Sequence, residues 1–240
     1  MMQVGWPDWS ALAVFVVAWI GYSWYADSSR AAARNMTSAV NRVRYVWMRQ
    51  MLDRDLRMVD TNILGNLVNG IAFFASTAIL VIGGLIALLG SADEALMALS
   101  HLPVVTTLTR ESLELRVLTL LVLFTYAFFK FAWAFRLSNY CSILVGAAPR
   151  APVPDAHAEA VAQRIAHVHG LVGFHFNRGL RAYYFALAVV AWFVHAIALV
   201  VAVVVIVHEL WQREFRSRAL ADLTAAGEEP PPPDRSGGVA

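Results

Sequence analysis

The apolar residues of the chain gather into four long runs that are separated by polar connections. The runs cover about residues 9–26, 62–90, 115–145 and 182–207. Because the hydrocarbon core of a bilayer is roughly 30 Å thick, a helix needs about 20 residues to cross it. The pattern therefore predicts an all-α protein, an integral membrane four-helix bundle, in which residues 1–220 form a single membrane domain.

Two of the connections carry apolar residues at helical spacing. Each predicts an amphipathic cytoplasmic helical segment that either lies on the membrane surface or forms one face of a bundle below it. The apolar positions are Val40, Val43, Trp47, Met51 and Met58 in residues 31–59, and Val161, Ile165, Val168 and Val172 in residues 155–175.

Cap and turn signals add three smaller predictions. Asp155 is a candidate N-cap for the second amphipathic segment. The stretch ADEALMAL predicts a short surface helix that ends before Pro103. The composition of residues 221–240, which include GEEPPPPDRSGG, is typical of a disordered tail.

The composition excludes an ordinary soluble domain. Hydrophobic residues make up 59% of the chain and charged residues 15%, with a mean hydropathy of +0.56, whereas a soluble domain is about half apolar and about a quarter charged. A net charge of only +2, with no separate basic domain, argues against nucleic-acid binding. Cys141 is the single cysteine, so no internal disulfide can form.

Arginine is distributed unevenly among the connections. It is frequent between the first and second runs and between the third and fourth runs, but rare between the second and third. The positive-inside rule predicts that the two arginine-rich connections lie in the cytoplasm and that both termini are periplasmic. In this prediction Arg213, Arg216 and Arg218, which follow the fourth run, lie on the side that the rule disfavours.

Two basic residues interrupt the third run in the stretch FFKFAWAFRLSNY. Lys130 is the only lysine of the chain, and a charge buried in a membrane is costly. Lys130 is therefore a snorkelling side chain whose amine reaches the interface, a structural hydrogen-bond donor, or part of an ion pathway. Six residues of helix rotate by roughly 600°, so Arg136 is predicted on a different face, where it is close enough to the interface to contact lipid phosphates.

Other polar residues in or near the runs extend this interpretation. His195 lies near the centre of the fourth run, where a histidine facing Lys130 would suit a proton relay or an anion-attracting constriction. Just before that run, at the cytoplasmic surface, three residues would attract negative charge: Asn177, Arg178 and Arg181. The second run supplies candidates for helix packing or polar lining, namely Asn66, Asn69, Ser76 and Thr77.

Four histidines in one connection, His157, His167, His169 and His175, raise the question of a metal site. His167 and His169 are about 200° apart on a helix, and no cysteine or paired acid completes a ligand set. We therefore predict neither a metal nor a cofactor. The sequence also lacks the GxxxxGK[ST], GxGxxG and GxSxG motifs, so we predict no enzyme activity and rank a histidine-based membrane enzyme low.

Three separated blocks of the sequence resemble the domain of unknown function 599 family, membrane proteins of proteobacteria and plants. The blocks are DTNIL…FFASTAILVIGGLIALLG, YAFFKFAWAFRLSNYCSILVGAAP and NRGLRAYYFALAVVAWFVHA…REFRSRA. The resemblance implies a multi-pass protein of the bacterial inner membrane, and it supplies no activity or site residues. Where the family pattern has a proline after the histidine of the fourth run, this chain has Ala196, which argues against a helix break there.

Two functions of different classes follow from these observations. The first is a channel or transporter for a small ion, with an anion favoured because Lys130, Arg136 and His195, and no acidic residue, lie inside the runs. The alternative is a non-conducting membrane scaffold or assembly factor that binds anionic lipid at the cytoplasmic leaflet or a cytoplasmic partner. Four spans form a small unit, and we therefore also expect a homo-oligomer.

Overall fold

The computed structural model describes residues 5–28, 32–100, 109–150 and 156–226, with the side chains of 99 and 100 excepted, and all regular elements in these ranges are α-helices. In chain order the helices are α1 (Trp6–Asp27), α2 (Met36–Asp53), α3 (Met58–Gly90), α4 (Ala92–Ser100), α5 (Arg110–Ala147), α6 (Ala156–Trp192), α7 (Ala196–Phe215) and α8 (Arg218–Ala226). The prediction of an all-α protein is confirmed.

Four segments are long and apolar enough to cross a membrane. They are α1, α3, α5 and the stretch Ala196–Ala226, which contains α7 and α8. The chain is therefore a helical membrane protein. Helix α6 does not belong to this group, because Asn177, Arg178 and Arg181 interrupt the apolar part of its sequence.

The predicted fourth span, residues 182–207, is wrong as a single helix. Helix α6 ends at Trp192, and α7 begins at Ala196 after an extended His195. The Arg213 Nη1 atom then lies 2.7 Å from the Tyr184 hydroxyl. A continuous helix would separate these two residues by about 44 Å, so α7 must fold back along α6 as a helical hairpin.

The hairpin turn forms without proline or glycine. The last turn of α6 tightens, since the amides of Phe193 and Val194 donate to the carbonyls three residues earlier. His195 Nδ1 then accepts a hydrogen bond from the Ile197 amide at 3.1 Å and caps α7. The absence of a proline at Ala196 therefore does not prevent a break, contrary to the expectation from the sequence.

Helix α6 is the central element of the bundle, with contacts to α1, α2, α5 and α7. Its apolar half buries both small and large side chains: Ala182, Phe185, Ala186, Ala188, Val189 and Trp192. Other helices cover this buried face of α6, whereas Leu187 and Val190 of the same half are exposed. This arrangement explains why hydropathy alone did not separate α6 from α7.

The polar contacts of α1 identify two ends of the bundle. Asp8, in the first turn of α1, accepts a hydrogen bond from Trp192 Nε1 at 2.7 Å and lies 3.2 Å from Arg116 Nη2. We call this the Asp8 end. Asp27, the last residue of α1, pairs with two arginines of α6, and we call this the Asp27 end.

Helix α7 finishes at the Asp27 end. Glu214, close to the last residue of α7, accepts hydrogen bonds from the Tyr22 hydroxyl and from Asn35 Nδ2, both at 3.4 Å. The start of α1 and the end of α7 therefore lie at opposite ends of the bundle. The sides of the membrane on which the two termini lie stay a prediction.

The first predicted amphipathic segment, residues 31–59, contains α2 and the start of α3, and the second, residues 155–175, coincides with the first half of α6. Of the five apolar positions named for the first segment, Met51 is buried, Val40, Val43 and Trp47 are half-buried, and Met58 is exposed in α3. Asp155, the predicted N-cap, lies outside the described residues. The predicted disordered tail is wrong at its start, because residues 221–226 belong to α8, and residues 227–240 lie outside the described ranges.

Helix α6 also approaches α5 closely at Gly179. A Cβ atom at this position would lie 2.6 Å from Cε1 of Phe131, whose side chain is fully buried between α3, α5 and α6. Phe131 packs its ring against Phe74 and Tyr183, with ring centroids 5.6 Å and 5.4 Å apart. The aromatic cluster therefore leaves no room for a side chain at 179.

We expect Gly179→Ala to lower the free energy of unfolding by about 1–3 kcal/mol, because the added methyl group overpacks the Phe131 site. Thermal melting of the purified protein in detergent measures the effect. Gly21→Ala is the matched control, since nothing lies within 4 Å of a Cβ at that exposed position of α1. Equal melting temperatures for the two variants would contradict the close approach of α5 and α6.

Candidate functional site

Asp27 holds two arginines of α6 at one end of the bundle. Its Oδ2 atom lies 2.6 Å from Arg178 Nε, and its Oδ1 atom accepts a hydrogen bond from Arg181 Nη2. Arg181 is only 5% exposed and also donates to the Ser23 carbonyl at 3.5 Å. Since a buried guanidinium requires a counter-charge, Asp27 makes it possible for Arg181 to lie inside the bundle.

The spacing of the two arginines explains how one carboxylate serves both. Arg178 and Arg181 are three residues apart on α6, so their side chains leave the same face of the helix. Asp27 is the last residue of α1 and reaches that face from the neighbouring helix. The two predicted surface arginines are thus paired residues of the bundle, and Arg181 is buried.

A cleft of about 310 Å³ opens beside Arg181 between α2, α6 and α7. Its polar lining comes from all three helices: Thr37, Arg44, Asn177, Arg181, Tyr184, Arg213 and Glu214. Asn177 Nδ2 donates to Thr37 Oγ1 at 3.1 Å, and this bond ties α6 to α2. The cleft therefore contains three guanidinium groups and one carboxylate.

Arg44 is the partly buried cation of this cleft that has no carboxylate partner among the described residues, and the exposed Arg213 has none there either. Its Nη1 atom donates to Asn41 Oδ1 at 2.6 Å, and its two terminal nitrogens point at α6 at Gly173. A Cβ at 173 would be 2.7 Å from both terminal nitrogens, so only glycine leaves space for this arrangement. Burial lowers the pKa of Arg44, which indicates that the charge is poorly compensated.

The two other ionised groups of the cleft are arranged differently. Arg213 is exposed and lies 5.5 Å from the Tyr184 ring, to whose hydroxyl it donates. Glu214 is turned toward Tyr22 and Asn35 and away from the guanidinium of Arg44, with which it forms no ion pair. The Glu214 carboxylate therefore does not neutralise Arg44, whose positive charge can interact with an anion in the cleft.

Lys130 lies on the opposite side of the Asp27 pair, where α5 meets α6. Its Nζ atom is 5.1 Å from the centroid of the Tyr126 ring, and it has no hydrogen bond or ion pair with any described residue. It is close enough to Arg178 and Asp27 to interact with them electrostatically. His175 is its other polar neighbour and packs against Trp133, with ring centroids 6.3 Å apart.

The structure does not bring Arg136 or His195 to this cluster. Arg136 is exposed on another face of α5, where its Nε atom donates to the Tyr140 hydroxyl at 2.8 Å. His195 is exposed in the hairpin turn at the Asp8 end. His195 does not face Lys130, because it lies in the turn beside Trp192 at the Asp8 end, whereas Lys130 on α5 is near Asp27.

The polar candidates of α3 are not part of a lining either. Asn66, Asn69 and Ser76 are exposed on the outer face of the helix, and the Thr77 hydroxyl donates to the Phe73 carbonyl of its own helix at 2.8 Å. In the chain as described, these side chains contact no other helix through a hydrogen bond.

The histidines of α6 occupy separate surroundings. His169 is 3% exposed and packs against Trp47, with ring centroids 5.6 Å apart. Burial, assisted by the neighbouring charge of Arg44, lowers the pKa of His169 to about 4. Within the described ranges, no group of three or more histidine, cysteine or acidic side chains could hold a metal ion.

Sequence reasoning missed Asp27, Arg44 and Asp8, although each has a recognisable signal. Asp27 and Asp8 are the acids at the two ends of the first apolar run, where a carboxylate can reach the arginines of adjacent helices. Arg44 lies in the arginine-rich connection, but its partner Gly173 is 129 positions away. Only the fold brings these two residues together.

The fold and the site together define a helical membrane protein with a basic cluster at one end. The chain belongs to the family described as "Protein of unknown function, DUF599", whose model matches residues 10–219. This match confirms the resemblance seen in the sequence. No curated protein and no solved structure matches the chain.

We expect Asp27→Asn to lower the free energy of unfolding by on the order of 3–5 kcal/mol, because it leaves Arg181 buried without its counter-charge. The control is Asp93→Asn, which removes a carboxylate from the exposed Arg110–Asp93 pair, where 55% and 69% of the side chains are exposed. An exposed pair contributes about 0–1 kcal/mol. If both variants had the same melting temperature in detergent, the structural importance of Asp27 would be refuted.

Proposed function

We propose that the protein binds a phosphate-bearing ligand in the cleft between α2, α6 and α7. The observation that carries this proposal is Arg44, a partly buried guanidinium in the wall of the cleft with no carboxylate partner among the described residues. Guanidinium groups bind phosphate through paired, charge-assisted hydrogen bonds. A bound phosphate would supply the negative charge that Arg44 lacks.

The surroundings of Arg44 suit the same ligand. Asn177, Thr37 and Tyr184 line the cleft and offer amide and hydroxyl groups that can donate to phosphate oxygens. Arg213 lies at the exposed edge of the cleft, where it would attract anions from solution. This function corresponds to a membrane scaffold or assembly factor that recognises an anionic ligand.

We infer that the cleft faces the cytoplasm. With α6 and α7 as separate crossings, five helices traverse the bilayer and the end of α7 lies on the same side as the arginine-rich connections. Arg213, Arg216 and Arg218 then join the arginines of α2 and α6 at the Asp27 end, as the positive-inside rule requires. The bacterial inner membrane is the location that the family resemblance suggests.

Cysteine labelling in intact cells tests this orientation. In a Cys141→Ala background, Glu111→Cys at the Asp8 end is expected to react with an impermeant maleimide added to the periplasm, because Glu111 is exposed. Arg218→Cys is expected to react only after the inner membrane is opened. Labelling of both positions in intact cells would contradict the inferred orientation and support two periplasmic termini.

Ion transport stays a prediction with less support from the geometry. A pathway through Lys130, Arg136 and His195 would need these side chains to converge, whereas they lie on different faces and at different ends of the bundle. A pathway between subunits of a homo-oligomer would remain consistent with an unpaired Lys130. Ion flux from proteoliposomes that carry the wild type or Lys130→Met distinguishes transport from binding alone.

We expect Arg44→Gln to weaken phosphate binding by about tenfold or more, because it removes a charge-assisted contact worth roughly 1.5–3 kcal/mol. The rise in melting temperature of the detergent-solubilised protein is measured against increasing inorganic phosphate and against a short-chain anionic phospholipid. A response to phosphate indicates a soluble ligand, and a response to the phospholipid alone indicates a lipid headgroup.

Arg42→Gln is the matched control for this experiment. Arg42 lies on the same helix, is exposed, and its substitution changes the net charge equally. We expect Arg42→Gln to bind as the wild type does. If both variants lost the same affinity, or if neither phosphate nor the phospholipid raised the melting temperature of the wild type, the cleft would not be the binding site.

A further inference from the structure

A second basic site lies on the far side of the Asp27 pair, on the outer surface of α5 and α6. Tyr126, Lys130 and Trp133 follow one another at spacings of four and three residues and share a face of α5. The adjoining face of α6 presents His175 and Arg178. We call these five residues the Lys130 strip, which is distinct from the cleft that contains Arg44.

Among the described residues, Asp27 is the carboxylate that acts on the basic groups of the Lys130 strip. Lys130 and Arg178 each act electrostatically on His175, and Arg178 also acts on Lys130. The nearest carboxylate is Asp27, and both of its oxygens already accept hydrogen bonds from arginines. His175 Nδ1 is buried and has no hydrogen-bond partner in the part of the chain that the structure describes. An anion at this position would therefore relieve repulsion between the basic groups.

The position of the strip specifies the source of the anion. Helix α5 is one of the membrane-crossing segments, and Phe129 and Trp133 are 65% and 45% exposed on its outer surface. Lys130 lies about 21 Å along α5 from Arg116 at the Asp8 end, and it is near Asp27 at the other end of α1. Exposed aromatic and basic side chains at the height of Asp27 along the bundle are therefore placed to contact the lipid headgroups.

We propose that Lys130, His175 and Arg178 bind the phosphate of an anionic phospholipid in the leaflet at the Asp27 end. Lys130 supplies a compact ammonium group that can approach a single phosphate oxygen from the α5 side. Arg178, stacked on Phe174 at 4.3 Å, supplies the second cation from α6. The exposed ring of Trp133 lies beside the first part of the acyl chains.

Native mass spectrometry of the full-length protein tests this site. The protein is titrated with phosphatidylglycerol and, separately, with phosphatidylcholine that has the same acyl chains. We expect the wild type to retain phosphatidylglycerol preferentially. Lys130→Gln is expected to lose about tenfold or more in affinity for this lipid, because one charge-assisted contact to the phosphate is removed, and Lys130→Arg is expected to retain most of it.

Arg42→Gln is the matched control, since it removes an exposed basic residue of α2 that lies outside the Lys130 strip. Retention of wild-type affinity in Lys130→Gln, or an equal loss in Arg42→Gln, would overturn the proposal. Arg44→Gln separates this site from the cleft: the proposal requires normal phosphatidylglycerol binding in that variant. Melting temperatures without lipid verify that each variant is folded.

Discussion

The arrangement of this protein depends on the need to neutralise Arg181 inside a helical bundle. A guanidinium that is 5% exposed is stable there only with a counter-charge and hydrogen-bond acceptors close by. Asp27 and the Ser23 carbonyl supply both from the last turn of α1. This requirement fixes α1 against α6 at one end, while Asp8, Arg116 and Trp192 fix it at the other. The ion pairs of Asp27 thus position α6, and the cleft and the Lys130 strip lie on opposite sides of this helix.

The hairpin of α6 and α7 explains why the arginines that follow the fourth apolar run lie at the same end as those of α2. A single long helix would place them at the opposite end. Folding α7 back along α6 places Arg213 beside Tyr184 and brings the last arginines to the end where α2 already lies. The same turn leaves α6 in the middle of the bundle, where Ala182, Ala186 and Ala188 allow neighbouring helices to approach. A polar, partly charged helix can therefore cross the membrane region because its neighbours cover it.

The four apolar runs were sufficient to predict helices and three of the four spans, because run length and hydropathy depend on neighbouring residues alone. The break at 193–195 could not be predicted in this way. Phe193 and Val194 are as apolar as the flanking residues, no proline or glycine marks the turn, and α7 packs against α1 and α6 after it. Lys130, Asn177, Arg178 and Arg181 were identified as candidates from the sequence. Their grouping around Asp27 depends on helix packing, and so does the burial of Arg44 on Gly173.

Asp27 carries one negative charge and divides its two oxygens between arginines that face different surfaces of the molecule. Arg178 belongs to the membrane-facing strip, and Arg181 to the wall of the cleft. An anion that draws Arg178 outward would leave the carboxylate free to hold Arg181 more firmly. Arg181 would then be less available to an anion in the cleft. Such coupling is reciprocal. Lipid binding at Arg178 would therefore weaken ligand binding in the cleft, and ligand binding in the cleft would weaken lipid binding, both through Asp27.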